Sequence, residues 1–441
     1  MRLFYLFLFF SLRLSTRMYF RRRDTFNSPK GFLGRTIYIS NHAASFMDPL
    51  LVAAFRNPIV FFMTRSDIFK PLLKPILWAS HMIPIYRQLD GDDTKGKNQE
   101  VFKRCTKILS AGRNLLIFGE GFTDDVFIRR LKPIKKGAIR IGFIALEEMN
   151  WKKKVYIAAV GCNYSEPNYM RSDILISTSD KICLNEYELE FKRNPNKVIS
   201  DLTKLVELKM KEQITHVEDK NWAPFHENVM QLTRKGMNSV NYDTNHSLKD
   251  RWRYSQKLAN WMNDRNLEEN TELFELKSDV EGYFSLLKRF KLQERFVFDF
   301  QLASNGGKLK ELLFLLFMWP FAIVGAIHCL PSYLFVKRFT EKSFKRKVFW
   351  GSVKMLMGKA VIGIVNIPFI FLFYKFVYPS YLMSFGYYLV VIPFCGVIAY
   401  LYKRNLIDYK TKNMIHKMDI SKVISKRKLL IEKIYKLIPV A

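Results

Sequence analysis

Three stretches in the last third of the chain constrain its fold most. Leu312–Val336 runs 25 residues without a formal charge, Tyr381–Leu401 carries none, and Ala360–Val377 has only Lys375. About 20 apolar residues in a helix cross the hydrocarbon core of a bilayer. Residues 306–405 therefore read as a membrane region. Mean hydropathy is nonetheless near zero, so the remainder must be polar. That remainder is basic, with 71 Lys+Arg against 40 Asp+Glu, a net +31. Such an excess seeks phosphate, whether of nucleic acid or of anionic lipid. The 38 Phe and the long apolar runs favour membrane lipids as partners, and no nucleic-acid-binding module is legible.

The apolar run Leu3–Leu12 is too short to span, and Arg21-Arg22-Arg23 follow it closely. Residues 1–30 read as an interfacial amphipathic anchor, with a short signal-anchor as the alternative. Cys105, Cys162, Cys183, Cys329 and Cys395 are scattered, with no CxxC or Cys/His cluster. Neither a metal site nor a disulfide framework is expected from them.

Residues 31–198 alternate apolar strand-like and helical stretches. Strands are expected at Thr36–Ser40, Ile59–Thr64, Ile83–Tyr86, Leu115–Phe118 and Val155–Val160, with helices at Gln99–Leu109 and Ala138–Glu148. The pattern predicts an α/β core, a mixed sheet flanked by helices. A charged helical subdomain, 199–305, and a basic tail, 406–441, complete the chain. Pro320 and Pro331 predict that 312–336 bends into a re-entrant hairpin. The basic linker from Lys337 up to Lys359 would then share one side with the tail, as the positive-inside tendency asks. The next two segments, 360–377 and 381–401, would form a second hairpin, turning near Tyr378-Pro379-Ser380.

The sharpest chemical signal is Asn41-His42-Ala43-Ala44-Ser45-Phe46-Met47-Asp48-Pro49, which follows a strand. Asp48-Pro49 reads as a helix start, with Asp48 at the N-cap. A second reading pairs Asp48 with His42. Six positions apart, the two share no helical face, so they meet only across a turn. The carboxylate would then orient the imidazole and leave its other nitrogen basic. No G-x-S-x-G elbow is present. Such a base acts on a substrate hydroxyl.

These residues resemble the first motif of the glycerolipid acyltransferases, Asn-His-x4-Asp, with one extra residue between His42 and Asp48. Some members of that family, including ones acting on glycerol-3-phosphate, have the longer spacing. Ile83-Pro84-Ile85-Tyr86-Arg87 resembles the second motif. Phe118-Gly119-Glu120-Gly121-Phe122-Thr123 resembles the third, with Gly119 in place of Pro, and Lys135-Lys136-Gly137-Ala138 a basic segment after it. The fourth, at Ile157–Gly161, lacks its Pro. The resemblance covers about residues 1–240.

It implies a glycerol-3-phosphate acyltransferase-like fold and a membrane-bound enzyme of phospholipid synthesis whose catalytic half faces the cytoplasm. His42 and Asp48 would be catalytic; Arg87 would hold the acceptor phosphate, and Gly119, Glu120, Gly121 and Lys136 would bind the acceptor. The donor would be acyl-CoA or acyl carrier protein, with no cofactor and no metal. The expected acceptor is 1-acylglycerol-3-phosphate, with glycerol-3-phosphate or another lysolipid as alternative. The non-enzymatic alternative is a basic membrane scaffold or lipid-transfer protein. Gly91–Asn98 nearly spells a P-loop, but Asn98 stands where Ser or Thr must hold magnesium.

Overall fold

The computed structural model describes residues 2–29, 34–55, 60–71, 74–86, 94–301 and 306–440. They form two compact units, Met1–Ala223 with Ser247–Asn263, and Pro224–His246 with Asp264–Ala441.

The first unit carries an eight-stranded mixed sheet. Its strands are β1 (Phe20–Phe26), β2 (Thr36–Ser40), β3 (Val60–Arg65), β4 (Met82–Ile85), β5 (Asn114–Phe118), β6 (Tyr156–Tyr164), β7 (Ser172–Thr178) and β8 (Ile182–Cys183). Around it lie α1 (Arg2–Tyr19), α2 (Met47–Phe55), α3 (Lys74–Ala79), α4 (Thr94–Ser110), α5 (Gly137–Glu148), α6 (Glu188–Arg193) and α7 (Pro195–Gln213). The next helix, α8 (Ala223–Thr233), opens the second unit, and α9 (Leu248–Asn263) belongs to the first. The helices expected at 199–305 are thus divided between the units.

The strand order is β1-β7-β6-β2-β5-β3-β4, with β8 beside β6. At the centre, β2 pairs in parallel with both β5 and β6. Ile37, Ile39, Leu115 and Ile157 are wholly buried there, with Ile139 and Leu146 of α5 in the same cluster. Burying each such side chain contributes roughly 1.5–3 kcal/mol. At Gly161 a Cβ would lie 2.1 Å from the Gln213 carbonyl oxygen, so only glycine lets the end of α7 rest on β6.

All five expected strands exist: Thr36–Ser40 matches end to end, the others have ends shifted by a few residues, and Ile59 lies outside the described residues. Strands β1, β7 and β8 are additional. The Arg-rich residues 20–26 form an edge strand parallel to β7, so the helical part of the expected 1–30 anchor ends at Tyr19. An edge strand tolerates charge because one flank faces water. The sequence of β1 therefore shows a basic cluster and little strand signal.

The second unit continues with α10 (Thr271–Arg289), α11 (Glu294–Gln301), α12 (Gly306–Ser343), α13 (Trp350–Val365), α14 (Ile367–Phe376), α15 (Tyr381–Gly386), α16 (Ile392–Ile415) and α17 (Ser421–Leu437). A π turn, Tyr387–Val391, joins α15 to α16. Three helical stretches, Leu309–Ser343, Lys347–Phe376 and Tyr381–Ile415, are long and apolar enough to cross a membrane. The second is broken at Asn366, and the turn expected at Tyr378–Ser380 is present.

The re-entrant hairpin expected at 312–336 is absent: α12 is one helix with Pro320 and Pro331 inside it. In an apolar setting no water competes for the freed carbonyls, so an isolated proline perturbs a helix without ending it. Along it α16 runs antiparallel. Lys412 pairs with Glu311 at 2.7 Å, and a Cβ on Gly325 would meet the Cys395 carbonyl oxygen at 2.0 Å. Small residues permit that backbone approach. Lys354 pairs with Glu341 at 2.9 Å, so the basic linker lies at the opposite end of α12 from Lys412. This departs from the expected one-sided placement of the cations. Between these helices His328 bonds through Nδ1 to Asn366 Oδ1 and through Nε2 to the Tyr387 hydroxyl, both at 2.6 Å.

Candidate active site

Three neighbouring parallel strands, β5, β2 and β6, end side by side, and the site is built from their last residues and the loops that leave them. In open α/β sheets, chemistry collects at such carboxyl ends. After β2, Asn41 Oδ1 accepts from the Cys162 amide at 2.8 Å, and its Nδ2 donates to the Cys162 carbonyl at 3.3 Å. This bracket fixes the chain just before His42. Ser45 then takes a left-handed conformation, φ +53°, which folds the loop back.

The turn brings Asp48 to His42. The helix starts at Met47, and the Asp48 side chain is not its N-cap. It points back instead, and Oδ2 accepts from the Ala44 amide and from Nδ1 of His42, each at 3.0 Å. Oδ1 accepts from the Tyr164 hydroxyl, at the end of β6, at 2.6 Å. Asp48 is wholly buried, whereas the His42 side chain keeps 20% of its surface. Among the described residues, Nε2 of His42 has no hydrogen-bond partner. Phe118 stacks on the ring at 4.3 Å between centroids.

The loop after β5 meets the same turn. Glu120 Oε1 accepts from the His42 amide at 2.7 Å, and Oε2 from the Lys132 amide at 3.2 Å. Burial pushes this carboxyl up to about 7, against the two amides and the nearby Lys132 charge, which favour ionisation. Gly121 has φ +75°, and a Cβ there would meet Lys135 Nζ at 2.8 Å. The segment opposite is itself fixed: the Leu131 amide donates to His216 Nδ1 at 2.9 Å. Burial first, then Lys211 and Arg130, press His216 down to about 4, so it stays a neutral acceptor near neutral pH.

The structure thus joins His42, Asp48 and Glu120 in one network, with Gly119 and Gly121 flanking Glu120. Lys136 stands exposed before the first turn of α5. Arg87 lies outside the described residues. Asn98, which spoiled the P-loop pattern, brackets the Tyr86 backbone at 3.2 and 2.8 Å. Sequence reasoning overlooked Tyr164. The one available signal is a phenol at the end of the strand beside β2. Among the described residues, no three His, Cys, Asp or Glu side chains are grouped to hold a metal ion. Chemically, a buried carboxylate holds one imidazole nitrogen and leaves the other free to accept a proton from a hydroxyl in the opening.

A family model described as Acyltransferase matches residues 19–163. That stretch of the chain is an acyltransferase domain. Among solved structures the chain is similar to the 1-acyl-sn-glycerophosphate (LPA) acyltransferase PlsC from Thermotoga maritima. Identity is 13%, over 45% of this chain and 78% of that one, with a TM-score of 0.32. No curated protein sequence matches the chain.

Proposed function

We propose that the protein is a membrane-bound O-acyltransferase of phospholipid synthesis. It moves a fatty acyl group from acyl-CoA or acyl carrier protein to a hydroxyl of a glycerophosphate acceptor, first of all 1-acylglycerol-3-phosphate. The observation that carries this reading is Nε2 of His42, held open by the Nδ1–Asp48 bond at the strand ends. Nε2 takes the acceptor's hydroxyl proton as its oxygen attacks the thioester carbonyl. The thiolate leaves and recovers that proton from the imidazolium, giving an ester and a free thiol. Asp48 holds the ring and stabilises its cation.

Arg87 would clasp the acceptor phosphate, since a guanidinium suits bidentate phosphate binding. Gly119, Glu120, Gly121 and Lys136 complete the proposed acceptor side. With both Glu120 oxygens on backbone amides, its part there includes bracing the His42 loop. The exposed Leu3, Phe7, Phe10 and Leu14 of α1, with Arg13 and Arg17, suit an anionic bilayer surface on the cytoplasmic side.

The test is labelled acyl transfer to 1-acylglycerol-3-phosphate, glycerol-3-phosphate and other lysolipids, with His42→Ala and Arg87→Ala beside the native protein. His42→Ala should be inactive, and Arg87→Ala should raise KM for the phosphorylated acceptor more than for the donor. Native turnover in folded His42→Ala would refute the mechanism. No transfer to any acceptor would leave the scaffold reading.

A further inference from the structure

Tyr164 ends β6 and is wholly buried. Its hydroxyl lies 2.6 Å from Asp48 Oδ1, while Oδ2 already serves the Ala44 amide and His42 Nδ1. The phenol has little freedom. Its ring lies 6.1 Å from both Phe20 and Phe127, and its carbonyl accepts from Arg129. Without this phenol, Oδ1 would be a buried carboxylate oxygen with no donor, a costly state. The carboxylate would then be free to turn about its last bond and leave His42.

We propose that Tyr164 is a positioning residue for acyl transfer: its hydroxyl fixes the plane of the Asp48 carboxylate and takes a share of its charge. This rests on the reading of His42 as the base. An O–H···O⁻ bond of this length is charge-assisted. Burial, and then Asp48 itself, hold the phenol far above its ordinary range, so it remains a donor at every working pH. Part of the negative charge beside His42 is thereby neutralised. Loss of that bond would return the full carboxylate charge to the ring and favour its cation, while Glu120, the other titratable group at this turn, keeps its place on the His42 amide in every variant.

The experiment compares pH profiles of kcat/KM for acyl transfer. The full-length proteins are native, Tyr164→Phe, His42→Ala, and one with 3,5-difluorotyrosine at 164. Thermal unfolding of each checks the fold. Tyr164→Phe should lower kcat by about tenfold, the worth of one hydrogen bond to a charged group, and move the acid limb to higher pH. The fluorinated phenol, a stronger donor of nearly the same size, should move the limb to lower pH. If Tyr164→Phe does not fold, the fluorinated protein decides alone. Limbs that stay in place, or move the other way, overturn the proposal, as does a loss of rate matched by loss of folded protein. An active His42→Ala refutes the base itself, whereas an inert His42→Ala beside a native-like Tyr164→Phe refutes only the role of Tyr164.

Discussion

The amide of His42 donates to Glu120 Oε1 at 2.7 Å across 78 positions of sequence. This bond joins the loop after β2 to the loop after β5, and so the first recognised motif to the third. Glu120 also holds the Lys132 amide, whose neighbour Leu131 is anchored on His216. The His42 turn is therefore held both by Asp48 and by Glu120. A loop with so few backbone freedoms keeps Nε2 aimed at one place, which catalysis by orientation requires.

Glu120 makes that brace sensitive to pH. Its folded value is about 7, while an unfolded glutamate titrates near 4.5. Between these values the folded state binds more protons than the unfolded one, so stability falls as pH rises from about 4.5 to about 7. Thermal unfolding of native protein and Glu120→Gln across that range should show the slope in the first and not in the second. Equal slopes would mean that Glu120 does not titrate there.

Asp48→Asn replaces an oxygen that receives only donors. His42 Nδ1, the Ala44 amide and the Tyr164 hydroxyl all donate to this carboxylate, so an amide nitrogen must face one of them. The Tyr164 hydroxyl, which can turn to accept, is the one able to face that nitrogen, so the ring keeps its partner but loses the charge that stabilises its cation, and kcat should fall by about a hundredfold. Since Asp48 is not the cap of α2, helix content in circular dichroism should be retained.

Asp173 on β7 is buried between two arginines: Arg251 of α9 at 2.7 Å, itself wholly buried, and the partly exposed Arg21 at 3.3 Å. Arg251→Ala leaves a buried carboxylate with one weak partner and should cost about 3 kcal/mol in denaturant unfolding. Arg21→Ala should cost under about 1 kcal/mol. Equal losses would show that burial of Arg251 gives its pair with Asp173 no added weight, and a larger loss for Arg21→Ala would show that Arg21 secures this end of the sheet.

The three long apolar helices predict opposite sides for two lysines. If the 38-residue α12 crosses the bilayer, Lys345 follows its far end, while Lys417 follows the end of α16 beside Glu311. In a background lacking the five native cysteines, Lys345→Cys and Lys417→Cys should react with an impermeant thiol reagent from opposite faces. Labelling of both from one face would mean that α12 lies within a leaflet or does not cross.

Much of this protein is legible in its sequence because the signals are local. Long apolar runs mark the three helical stretches that are long and apolar enough to cross a membrane. Alternation of apolar strands and helices gives the sheet, and His42 followed by Asp48 after a strand gives the pair. Other features depend on contacts between distant positions. The basic residues 20–26 become a strand only because β7 offers its edge. Pro320 and Pro331 read as breaks, yet α12 continues through both in an apolar setting and packs α16 against Gly325. The sequence offers Asp48 both as a helix cap and as the partner of His42, but nothing in it shows that Tyr164, 116 positions away, supplies the donor for the second carboxylate oxygen. A sequence determines which segments bury themselves. Only the fold decides which buried polar atoms meet, since each bond needs two strand ends brought within 3 Å or so by packing elsewhere.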